Sequence, residues 1–162
     1  MHRFLNLVYS NQEFYEALAG RSSDQWAKFT DIMRNDYVRD SDGRPVEDDH
    51  GFTQTVTTRS FKHKLFYGQR SDRYSAVNTQ NRETLEMRIF RGTVNGDTIK
   101  AHLDLAHASV EYTRTMSIKD IREGGALTST QFIRYIAENA ELYPNLLNRI
   151  NKLIPVVATA TI

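Results

Sequence analysis

The stretch Thr84-Leu85-Glu86-Met87-Arg88-Ile89-Phe90-Arg91-Gly92-Thr93 alternates apolar and charged residues, the period-two pattern of a strand with one face toward a core. Leu85, Met87 and Ile89 fall on one face, and Glu86 and Arg88 on the other. Gly92 ends the strand, and Asn95-Gly96-Asp97 supplies a turn that caps a long helix through about Thr115, with Ile99, Leu103, Ala106 and Val110 expected to face inward. Upstream, residues 74–77 read as a second strand joined to the first by the polar turn 78–83. A strand pair that runs straight into a helix sets the fold class as α+β, a small antiparallel sheet packed with several helices on one face.

Working outward, residues 2–19 place Phe4, Leu7, Val8, Phe14, Tyr15 and Leu18 at helical spacing, and Gly20 stops the helix. Ser22 or Ser23 is positioned to cap a following helix bearing Trp26, Phe29, Ile32 and Met33, so the two are expected to form a hairpin. Toward the C-terminus, Thr128 and Gln131 make a capping box before Phe132, Ile133 and Ile136, and Pro144 opens a last helix with Leu146, Leu147, Ile150 and Leu153. These C-terminal helices occupy residues 128–155. Residues 35–54 carry six acidic residues against two arginines with no periodicity, and read as a mobile acidic loop.

The 162 residues suit one domain, 1–162, with a real core. Lysine and arginine number 21 against 20 aspartates and glutamates, so the net charge of +1 exerts no global pull on nucleic acid or anionic membrane. Cysteine is absent, which excludes disulfides, thiolate metal sites and cysteine nucleophiles. The first twenty residues contain no signal-peptide cleavage pattern, and no apolar run approaches the ~20 residues of a bilayer span. The expected location is the cytoplasm, the host's if the chain is phage-encoded, with no membrane partner.

Several chemistries are tested by spacing. The acidic loop (Asp40, Asp42, Asp48, Asp49, His50) lacks the glycine position of a calcium loop and reads as solvated. His102 and His107 stand five apart, about 140° around a helix, which suits packing or surface roles better than zinc. Residues 59–74 interleave Arg59, Lys62, Lys64, Arg70 and Arg73 with Phe61, Phe66, Tyr67 and Tyr74, a mixture that can hold single-stranded nucleic acid but reads more simply as a half-buried strand. The polar face of the opening strand remains. Glu86 offers hard oxygen for a divalent cation and its neighbouring arginines offer planar forks for phosphate; the simpler reading is a surface ion pair.

The run from Arg73 to Thr113 resembles the C-terminal signature of the amidoligase family of phages and bacteria. The resemblance rests on Tyr74, Ala76, Val77 and Asn78, then Thr84, Glu86, Arg88, Phe90, Arg91, Gly92 and Thr93. The segment 1–29 is similar to the family's helix that ends in an alanine-glycine-arginine turn, here Ala19-Gly20-Arg21. The family is similar to glutamine synthetase, so the resemblance implies a glutamine synthetase-like curved antiparallel sheet and an ATP- and magnesium-dependent carboxylate–amine ligase working through an acyl phosphate. It implies that Glu86 ligates Mg2+, that Arg88 and Arg91 steady phosphate, and that Asn78, Arg82 and Arg21 support the nucleotide or substrate.

The family's glycine-x-glutamate-x-glutamate and histidine-x-histidine strands do not occur in this chain. Three expectations follow: a C-terminal part of a longer ligase, a subunit that pairs with a second chain, or a shortened relative that keeps only a binding surface. Peptide or amino-acid carboxylates and amines are the substrates in the first two cases. A protein partner or a second copy is the target in the third, and host inhibition is its form in a phage. Nucleic-acid binding is the weakest alternative.

Overall fold

The computed structural model describes residues 1–21, 27, 29, 36–37, 41–42, 44, 46, 49–50, 52, 55–56, 75–79, 83–117 and 125–154. The expected helix around Trp26, the basic segment 59–73 and Arg82 lie outside the described residues, as does most of the acidic loop. The described elements in chain order are α1 (His2–Ser10), α2 (Gln12–Ala19), β1 (Asp36–Tyr37), β2 (Thr55–Val56), β3 (Val77–Asn78), β4 (Glu86–Met87), α3 (Gly96–Arg114), α4 (Ser129–Glu138) and α5 (Pro144–Leu153). Five helices with short antiparallel strand pairs make a small α+β fold.

The N-terminal helix is two helices. Asn11 breaks it at φ −122°, ψ 45°, and its buried side-chain amide donates to the Leu7 carbonyl and to the Leu127 carbonyl, both at 2.7 Å. An asparagine side chain that satisfies the backbone itself removes the advantage of continuing the helix. Every apolar position expected of this segment is nonetheless buried: Phe4, Leu7, Val8, Phe14, Tyr15 and Leu18. Tyr9 and Leu5 are buried too, so α1 is a core element rather than a surface amphipath.

Two short strands flank residues 38–54. Asp36 pairs with Val56 and Tyr37 with Thr55, so the acidic segment spans the two strands of a short antiparallel pair. β3 and β4 form the second pair, with Val77 opposite Met87 and Asn78 opposite Glu86. The Arg88 amide donates to the Ala76 carbonyl at 2.8 Å and continues the ladder one step. The Val77 amide donates to the Tyr9 hydroxyl at 3.1 Å, which pins the pair to α1. Of the inward face read from alternation, Ile89 is buried and Met87 half-buried, whereas Leu85 is exposed at the strand's outer end.

The capping signals act as read. Asn95 Oδ1 accepts from the Thr98 amide at 2.9 Å to start α3, Thr128 Oγ1 accepts from the Gln131 amide at 3.3 Å to start α4, and Pro144 opens α5. α5 has no cap from its own Tyr143 side chain. Asp104 of α3 fills the gap, its Oδ2 accepting from the Leu146 amide at 3.2 Å and from Asn145 Nδ2 at 3.3 Å. A carboxylate there also complements the positive end of the helix dipole.

The inward face of α3 differs from expectation. Ala101, His102, Leu105, Ala108, Ser109 and Thr113 are buried, while Ile99, Leu103 and Val110 are exposed. Small residues let α3 lie close on α5 and α1, its most extensive neighbours. Ser109 and Tyr15 share a buried hydroxyl hydrogen bond of 2.8 Å, so the polar atoms in this seam are satisfied. The core closes with aromatic contacts from α2 to α4: Phe14 meets Phe132 edge-on at 5.9 Å and Tyr15 stacks on Phe132 at 6.3 Å.

Candidate functional site

The left-handed turn that ends α2 organises the polar surface. Gly20 has φ +69°, and both its amide and that of Arg21 return to the Glu16 carbonyl, a glycine C-cap that needs no β-carbon. The turn touches the chain beyond β4 at two points. The Ala19 carbonyl accepts from the Arg91 amide at 3.1 Å, and Arg21 Nη1 donates to the Arg88 carbonyl at 3.4 Å. Residues 67 and 72 positions apart in sequence are thereby brought side by side.

On one side of this junction stands Glu86. Asn78, directly opposite in the ladder, donates from Nδ2 to Glu86 Oε2 at 3.0 Å. Arg88 Nε lies 3.8 Å from Glu86 Oε1. The carboxylate is thus oriented through both oxygens, with about half of its side chain open to solvent. Four of the residues singled out in the sequence, Arg21, Asn78, Glu86 and Arg88, meet here.

Arg91 is not among them. It lines a cleft of about 610 Å³ together with Gly20, Gly92, Thr98, His102 and Arg149. Arg149 enters from α5, with its Nε donating to the Leu18 carbonyl. His102 is buried, its ring stacked on Phe90 at 4.6 Å with a 25° tilt. Burial and then the nearby Arg149 charge push its pKa below the usual 6.5, and the Leu18 carbonyl pulls weakly the other way. The ring is neutral near pH 7.

Sequence reasoning missed Arg149 and gave His102 only a packing or surface role. Arg149 sits on the polar face of an amphipathic helix, indistinguishable there from a solvated cation. His102 had one usable signal: it belongs to the small-residue stripe 101, 105 and 108, which marks a close helix contact rather than the surface.

Among the described residues no group of three acidic or histidine side chains gathers to cage a metal ion. Glu86 fits a narrower requirement, the single protein carboxylate on a magnesium ion otherwise held by nucleotide phosphates and water. No helix among the described residues is long and apolar enough to cross a membrane. Compared with family models, curated proteins and solved structures, the chain matches none.

Proposed function

We propose that this chain supplies the phosphate-facing part of an ATP-dependent carboxylate–amine ligase of the amidoligase kind, on a glutamine synthetase-like sheet. The supporting observation is the Ala19-Gly20-Arg21 turn, which joins the two segments that carry the resemblance. It brings Arg21 onto Arg88 and Ala19 onto Arg91, with Glu86 fixed by Asn78 beside them. Oriented donors of this sort accelerate phosphoryl transfer by meeting charge where it develops. Magnesium, when bound, neutralises phosphate charge; Glu86 holds it, and Arg88 and Arg21 steady the oxygens around it. The family's glycine-x-glutamate-x-glutamate and histidine-x-histidine patterns do not occur in this sequence, so binding precedes turnover as the property to measure.

Calorimetric titration of the chain with ATP, with and without Mg2+, tests the reading. Saturable, magnesium-dependent binding is expected, weakened at least tenfold in Glu86→Gln while the thermal melt stays within a degree or two. ATP binding that ignores both magnesium and Glu86, or no binding at all, overturns it.

A second reading, a non-catalytic interaction protein, draws on the outer face of α3. Ile99, Leu103 and Val110 repeat at helical spacing and are 43%, 66% and 40% exposed, and Leu85, just before β4, lines a cleft with Val110. Apolar stripes of this kind mark association surfaces. Native mass spectrometry then shows a dimer that Leu103→Glu dissociates; a monomer at all concentrations removes this reading.

A further inference from the structure

We propose that the cleft beside the Gly20 turn is a second oxyanion site, separate from Glu86, in which Arg91 and Arg149 grip a phosphate or carboxylate group. Among the described residues neither arginine has a carboxylate within ion-pair distance, although three other ion pairs form elsewhere. Two guanidinium side chains line the one cleft, and an oxyanion is the group that their planar forks bind bidentately. The wall is open at Gly92 and filled at Gly20. Gly92 has nothing within 4 Å of the place a β-carbon would occupy, and on Gly20 that place is 3.3 Å from Arg149 Nη2.

The independent observation is His102. It is only 7% exposed and lines the cleft, yet its Nε2 is buried with no partner at hydrogen-bond geometry, the Leu18 carbonyl that acts on the ring being held by Arg149 Nε. Orphaned buried polar atoms are uncommon and mark strain or a missing ligand. An anion held by Arg149 supplies the negative charge that this ring lacks, and so favours the protonated imidazole that burial and Arg149 now disfavour. Thr98, in the first turn of α3, adds a hydroxyl on the same wall.

This inference does not rest on the ligase reading, because none of its three principal residues touches Glu86. The test is side-chain NMR of the arginine Nε–H and histidine ring protons during titration with inorganic phosphate, with glutarate and with sodium chloride at matched ionic strength. Saturable shifts at Arg91, Arg149 and His102, with the His102 titration midpoint moving upward, are expected for phosphate, glutarate or both, and the preferred probe names the ligand class. Arg91→Gln, whose backbone anchor to Ala19 is kept, weakens binding at least fivefold, whereas Glu86→Gln leaves it unchanged. Arg149→Lys keeps a donor for the Leu18 carbonyl and weakens it less. A response to phosphate and glutarate no larger than to chloride, or one indifferent to Arg91→Gln, overturns the proposal.

Discussion

Arg149 and Gly20 fit each other as a side chain fits a notch: the guanidinium Nη2 stands 3.3 Å from where a β-carbon on Gly20 would lie, while Nε holds the Leu18 carbonyl two residues earlier. The C-terminal helix therefore closes on the end of α2 through a carbonyl that the α2 cap leaves open.

Gly20→Ala is expected to cost about 1–2 kcal/mol for the left-handed backbone alone, with a further loss as Arg149 is displaced. Urea unfolding checks it. In an Arg149→Ala background the contact component vanishes and only the backbone cost remains, so the two substitutions are less than additive. A wild-type midpoint in Gly20→Ala would sink this account of the turn.

Asn11→Ala removes both hydrogen bonds at the α1–α2 break and orphans buried carbonyls at Leu7 and Leu127. A loss of about 2 kcal/mol is expected. Hydrogen exchange separates the causes: amides in α1 and around residue 127 open together if Asn11 ties them, and independently if it does not.

Asp104→Ala should destabilise by about 1 kcal/mol, the usual cost of an uncapped helix start. Asp104→Asn retains an acceptor for the Leu146 amide and should recover most of that loss. Equal effects from the two variants would mean that charge at the helix end, rather than the hydrogen bond, carries the stabilisation.

Stability should bend at both ends of the pH scale. The Tyr112 hydroxyl donates to the Ala126 carbonyl, and burial foremost pushes its pKa from 10.0 up to about 12. Folding therefore favours the protonated phenol; that contribution is whole below pH 10 and is lost as pH climbs from 10 to about 12. His102 acts in the opposite sense. Its folded pKa lies below 6.5, so its neutral form contributes above pH 6.5 and stability falls as pH drops below that value, where the unfolded state takes up the proton first. Denaturation midpoints across pH 5–12 test both, with Tyr112→Phe reducing the alkaline slope, which buried Tyr15 and Tyr143 share, and His102→Gln the acid one.

Local physics makes much of the chain legible in its sequence. The caps at Asn95 and Thr128, the proline at the start of α5, the glycine end of α2 and the buried face of residues 4–18 all follow from interactions within a few residues of each other. Alternation in 84–90 placed Glu86 and Arg88 on one face, and the antiparallel partner brought Asn78 to the same carboxylate. Tertiary contact decided the rest. Close packing against α5 and α1 selected the small-residue stripe of α3 over its more hydrophobic one, because helices approach where side chains are short. The Asn11 break needed an acceptor at Leu127, 116 residues away. The separation of Arg91 from Glu86, and its company with His102 and Arg149, arose only when α5 folded back onto Leu18, a long-range closure that no local pattern in the sequence encodes.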